Sequence, residues 1–115
     1  MMMRLFRLLT LSLLAVVPAV PASAATFAEL AQWCAPEANG GRPGLCSGYL
    51  ETYLEALASP DPSLNDGVRA CVPDTVDRAE IRTLIGSYAR SHPEAAGQSG
   101  IAGLGQALKG RYPCG

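Results

Sequence analysis

Four cysteines and one histidine are the side chains with the most distinctive chemistry in this 115-residue chain. The cysteines are Cys34, Cys46, Cys71 and Cys114. They form no Cys-x-x-Cys motif, and His92 is distant from all of them in sequence, so their spacing does not indicate a zinc site. An even number of cysteines in a short exported chain favours two disulfides instead.

Candidate catalytic groups are few in this sequence. Side-chain catalysis needs a nucleophile beside a base, a set of metal ligands, or carboxylates that share a cleft. His92 lies where a helix is expected to end, so we expect it to pack locally or to complement the helix dipole. Glu51 and Glu55 lie one turn apart on a predicted helix, and a solvated face accounts for both. We therefore expect no catalytic residue, no enzyme activity and no bound cofactor or metal.

Residues 1–24 have the layout of a secretory signal peptide. Arg4 and Arg7 form a positive start, an apolar run over 8–17 follows, and the Ala-Ser-Ala of 22–24 suits a signal peptidase. The apolar run is shorter than the roughly 20 residues that a membrane-spanning helix needs. We predict cleavage after this segment, which leaves 25–115 as a single mature domain without a membrane anchor.

The charge of the mature chain narrows the class of partner. Without Arg4 and Arg7 the chain keeps seven basic and ten acidic residues, a net charge near −3. Nucleic-acid binding needs clustered lysine and arginine, which this sequence lacks. A domain of this size buries only a modest core, so disulfides would add stability that it needs. We expect the protein to act in an oxidising compartment outside the cytoplasm.

Apolar residues that recur every three or four positions predict four helices, which proline, glycine and polar residues separate. The helices are expected to begin near Thr26, Pro43, Asp77 and Ser99. Thr26 and Asp77 are each followed three residues later by glutamate, the pattern of a capping box, in which each side chain bonds a free amide. The predicted fold class is therefore all-α, a small disulfide-bonded bundle of about four helices.

The second helix and the connection after it are the segments most suited to contact a partner. The helix is expected to span 43–58, with an apolar face formed by Leu45, Tyr49, Tyr53 and Leu57, and with Leu50 and Leu54 beside it. Residues 59–76 are a long connection with three prolines and an Asn-Asp-Gly turn. Connections of this length in small domains are usually functional or disordered, and Cys71 near its end favours an ordered loop.

The order of the helices favours one disulfide pairing. Cys34 ends the first helix and Cys46 opens the second, while Cys71 precedes the third and Cys114 follows the fourth. In two antiparallel helix hairpins, the pairs Cys34–Cys46 and Cys71–Cys114 meet with the least movement of the chain. The crossed pairing, Cys34–Cys114 with Cys46–Cys71, stays open on the sequence alone.

Several short strings along the chain carry a resemblance to a known family. They are Gln32-Trp33-Cys34, Cys46-Ser47-Gly48-Tyr49-Leu50, Cys71-Val72-Pro73, Ser91-His92-Pro93-Glu94 and Tyr112-Pro113-Cys114. In this order and spacing they resemble the Rap/Tai family of immunity proteins associated with type VI secretion. The resemblance covers nearly the whole mature chain. It implies an all-helical, disulfide-bonded periplasmic protein that blocks the active-site groove of a peptidoglycan amidase effector, often as a homodimer.

The resemblance favours steric inhibition as the function, without assigning effector-contacting residues. In this hypothesis the 59–76 connection, or the acidic second helix, enters the groove of the effector. Acidic groups would speed the encounter with a basic effector, and a bridge at Cys71 would lower the ordering cost of binding. The alternatives are a small periplasmic stress or chaperone-like helical protein and an orphan family member without an effector.

Overall fold

The computed structural model describes residues 25–115, and the predicted signal peptide and its cleavage site lie outside them. The described residues form five α-helices: α1 Phe27–Trp33, α2 Pro43–Ala58, α3 Pro62–Asn65, α4 Arg78–Ser91 and α5 Gly100–Lys109. Short 3-10 helices over Glu37–Asn39 and Pro93–Ala95 precede α2 and α5. This part of the chain contains no strand and holds two disulfides, which confirms the predicted fold class.

The polar residues that were predicted to start helices do so, although the capping boxes are incomplete. Thr26 Oγ1 accepts a hydrogen bond from the Glu29 amide at 3.2 Å, whereas Oδ1 of Asp77 accepts one from the Ala79 amide at 2.9 Å. The two glutamates do not bond back to a backbone amide. Glu29 accepts from the Thr26 hydroxyl, and Glu80 pairs with Arg111. The ion pair explains why the second box is incomplete, because it uses the Glu80 carboxylate.

The apolar face of α2 differs from the predicted one at Leu45. Cys46, Leu50 and Leu57 are buried, whereas Leu45 is 38% exposed. The Cys34–Cys46 bridge accounts for the difference, because it holds Cys46 against the core and turns the preceding residue outward. Tyr49 and Tyr53 of the same helix are half-buried, between the core and solvent.

The short helix α3 is absent from the four predicted helices. It occupies the start of the 59–76 connection, where Asp61 accepts a hydrogen bond from the Ser63 amide at 2.9 Å. Proline at the first helical position also favours a helix start, since its missing amide proton has no partner there. A four-residue helix has too few positions to show a periodic pattern, which is why periodicity did not predict it.

The helix α5 contacts all four other helices and lies against the centre of the core. Two of its glycines make this close packing possible. A Cβ atom on Gly103 would lie 2.4 Å from Cγ of Phe27, and one on Gly105 would lie 2.7 Å from Cγ1 of Val68. The largest buried side chains around this centre are Phe27, Leu30, Leu50, Leu57, Ile81, Ile85, Leu104 and Leu108.

The tight contact at Gly103 gives a prediction about stability. We expect Gly103→Ala to lower the free energy of unfolding by about 1–3 kcal/mol, because the added methyl group overpacks the core against Phe27. Gly48→Ala is the matched control, since a Cβ there meets no atom within 4 Å and alanine favours helix by about 1 kcal/mol. Urea unfolding of both variants measures the difference. Equal stability of the two variants would contradict this packing.

Candidate functional site

The cysteines pair as the helix order favoured. Cys34 bonds to Cys46 and Cys71 bonds to Cys114, with a Cα–Cα distance of 4.9 Å in each pair. No cysteine is left free within residues 25–115. The first bridge fixes the corner between α1 and α2. The second joins the end of the 59–76 connection to the chain that follows α5, and so attaches that connection to the helical core.

The side chain of Asn65 holds residues 61–68 of the 59–76 connection against the end of α2. Asn65 is fully buried. Its Nδ2 donates to the Ser59 carbonyl oxygen at 2.8 Å, and its Oδ1 accepts from the Gly67 amide at 3.2 Å. Buried amide groups that lose such partners are costly, so these bonds fix both ends of the turn.

Further hydrogen bonds attach the same turn to the rest of the fold. Ser99 Oγ donates to Oδ2 of Asp66 at 2.6 Å, and Nη2 of Arg69 donates to the Ala58 carbonyl oxygen at 3.0 Å. Asp66 adopts a left-handed conformation with φ of 53°, which aspartate tolerates better than most residues. The 59–76 connection is therefore ordered and held to the helices by hydrogen bonds, as the position of Cys71 near its end predicted.

The ordered turn over residues 61–68 exposes an apolar side chain. Leu64 is 53% exposed at the end of α3, next to the buried Asn65. In the described chain, Leu64 and Leu45 are the large apolar residues that face solvent most. An apolar side chain on a pre-ordered turn can enter a pocket of a partner without a large ordering cost. We call residues 61–68 the exposed turn, and it is the candidate partner-binding site.

The second candidate, the acidic face of α2, carries less free charge than the sequence suggests. Glu51 and Glu55 are both exposed. Oε1 of Glu51 accepts a hydrogen bond from Nε of Arg78 at 2.8 Å. This hydrogen bond, together with the charge of Arg78, holds the pKa of the Glu51 carboxyl below its usual value. The negative charge of Glu51 is thus compensated by Arg78, whereas Glu55 forms no ion pair with the described residues.

His92 occupies a local packing position. It follows α4 as its C-terminal cap, and its ring stacks on Tyr88 with 4.0 Å between ring centroids. Its Nδ1 lies 3.1 Å from Oγ of Ser91. Within 25–115, no three histidine, cysteine, aspartate or glutamate residues are grouped closely enough to hold a metal ion.

The described part of the chain is small, helical and doubly bridged, and its exposed turn carries the most exposed large apolar side chain. None of the helices in the described part combines the length and apolar character needed to cross a membrane.

Comparison with known families identifies the class more closely. The family model of the Rap1a immunity proteins matches residues 26–114, and the chain belongs to this family. This confirms the family resemblance seen in the sequence, and membership indicates an inhibitor that binds a cognate effector rather than an enzyme. Neither a curated protein nor a solved structure matches the chain.

The role of Asn65 gives the second prediction. We expect Asn65→Ala to lower the free energy of unfolding by about 1–3 kcal/mol, because the backbone groups of Ser59 and Gly67 lose their buried partner. Asn39→Ala removes the same side chain from an exposed position and serves as the control. Urea unfolding measures stability, and amide hydrogen exchange should show faster exchange in the exposed turn of the Asn65 variant alone. A turn that exchanges equally in both variants would contradict the role of Asn65.

Proposed function

We propose that this protein is a periplasmic immunity protein of type VI secretion, which binds a peptidoglycan amidase effector and sterically blocks its active-site groove. Membership of the Rap1a immunity family over 26–114 is the observation that carries the proposal. The predicted signal peptide and the two disulfides support export, since disulfides persist in oxidising compartments. Peptidoglycan amidases act in that same compartment.

The exposed turn is the element that we propose to enter the groove of the amidase. It combines an exposed apolar side chain, Leu64, with a backbone fixed by Asn65 and by the Cys71–Cys114 bridge. An element that is ordered before binding loses little conformational entropy when it docks. The acidic face of α2 is the weaker candidate because Arg78 compensates the charge of Glu51. Glu55 would contribute to the rate of encounter rather than to affinity.

The proposal predicts that substitutions of the two exposed leucines, Leu64 and Leu45, differ in their effect on inhibition. The protein purified from the periplasm should form a complex with the amidase effector encoded beside its gene and stop that amidase from cleaving peptidoglycan. We expect Leu64→Asp to weaken inhibition by about tenfold or more, because a charge replaces the apolar anchor. Leu45→Asp is the matched control, since Leu45 is exposed on α2 and outside the exposed turn. It should inhibit like the unchanged protein.

The outcomes separate the alternatives. Absence of a complex, or an amidase that stays active in the complex, would show that the immunity function is wrong for this protein. Loss of inhibition in the Leu45 variant with full inhibition in the Leu64 variant would move the contact from the exposed turn to α2. Glu55→Gln tests the acidic face separately, and it should slow association without changing dissociation.

We also propose that the protein is a homodimer, as the family resemblance implies. Light scattering of the purified protein should give twice the mass of the mature chain. A monomer at every concentration tested would contradict the dimer and leave the inhibition proposal intact.

A further inference from the structure

A groove with no assigned role lies between α4 and the corner that follows α1. It encloses about 720 Å³ and shares no lining residue with the exposed turn or with the acidic face of α2. Gln32, Trp33 and Asn39 form part of one wall, and Arg82, Gly86 and Arg90 form part of the other. The lining residues carry two arginines and a single acid, Glu37.

The two arginines of the groove have no partner within 25–115. Neither Arg82 nor Arg90 forms an ion pair or a side-chain hydrogen bond with the described residues. Other arginines of the same domain behave differently, since Arg78 pairs with Glu51 and Arg111 pairs with Glu80. The groove therefore concentrates uncompensated positive charge on a domain whose overall charge is negative.

Both arginines of the groove lie on α4. Arg82 and Arg90 are separated by eight residues, about 12 Å along the helix axis and about 80° around it, and both side chains line the groove. Gly86 lies midway between them. A Cβ atom on Gly86 would lie 3.3 Å from Nη1 of Arg90, so the Arg90 guanidinium extends over Gly86 toward Arg82. An anionic ligand in the groove would compensate both positive charges.

The opposite wall is rigid. Nε2 of Gln32 donates to the Asn39 carbonyl oxygen at 3.0 Å, and the Arg42 amide donates to the Trp33 carbonyl oxygen at 2.8 Å. The Cys34–Cys46 bridge closes the same corner. The groove is thus formed before any ligand arrives, which lowers the ordering cost of binding.

From this geometry we infer that the groove binds an extended acidic peptide segment of a partner protein. Arg82 and Arg90 donate to two carboxylates of that segment, and Trp33 packs against the chain between them. Side chains on one face of an extended peptide recur about every 7 Å, so such a segment can present two carboxylates to the two guanidinium groups of the groove. Guanidinium groups suit carboxylates because they donate two parallel hydrogen bonds. The inference does not rest on the proposed amidase inhibition, because it concerns a separate surface.

Fluorescence anisotropy with a labelled decaglutamate peptide tests the inference, and a decaglutamine peptide of the same length is the uncharged probe. At low ionic strength the protein purified from the periplasm should bind decaglutamate about tenfold more tightly than decaglutamine, and added salt should reduce the difference. Arg82→Gln and Arg90→Gln should each weaken decaglutamate binding by about fivefold, and the double variant should abolish the preference. Lys109→Gln removes one positive charge outside the groove and should change binding less than about twofold.

Three results would overturn the inference. The first is equal binding of the two peptides. The second is equal weakening by Lys109→Gln and Arg90→Gln, which would indicate a general charge effect. The third is failure to bind decaglutamate together with conversion of a dimer to a monomer in the double variant, which would place a second copy of this chain in the groove. Arg90 is exposed, so its variant keeps the test valid even if Arg82→Gln lowers stability.

Discussion

The Cys71–Cys114 disulfide is the constraint on which the exposed turn depends. It joins the end of the 59–76 connection to the chain after α5, and the Cys71 amide donates to the Tyr112 carbonyl oxygen at 2.8 Å beside it. Since α5 contacts every other helix, the bridge links the turn to the whole core. In the chain-entropy account, closing a loop of this length stabilises the fold by roughly 4 kcal/mol, by destabilising the unfolded chain.

The rest of the turn is fixed by polar groups rather than by apolar burial. Asn65 closes it from inside, and Asp66 joins it to Ser99 at the start of α5. This arrangement leaves Leu64 53% exposed, outside the buried core. A small protein that must present an apolar side chain to a partner needs such a scaffold, because an unsupported loop would lose entropy on binding. Stability and the proposed inhibition thus depend on the same bonds.

The sequence predicted the features that arise from local signals. Caps at Thr26, Asp77 and Ser99 marked the starts of helices, and the helix order favoured the observed disulfides. It failed where tertiary contacts decide the result. The exposure of Leu45 follows from the bridge at Cys46, and the burial of Asn65 follows from carbonyl groups on α2, neither of which shows in a periodic pattern. The groove of Arg82 and Arg90 was missed because two positive charges on a helix are ordinarily a solvated face.

Amide hydrogen exchange of the protein alone and in complex with its amidase effector tests the central claim most directly. The claim is that the exposed turn, held by the Cys71–Cys114 bridge, is what blocks the enzyme. The amides of residues 61–68 should gain the greatest protection in the complex, since the turn would be covered by the walls of the active-site groove. Protection confined to α2 or α4, with residues 61–68 exchanging as in the free protein, would contradict the account.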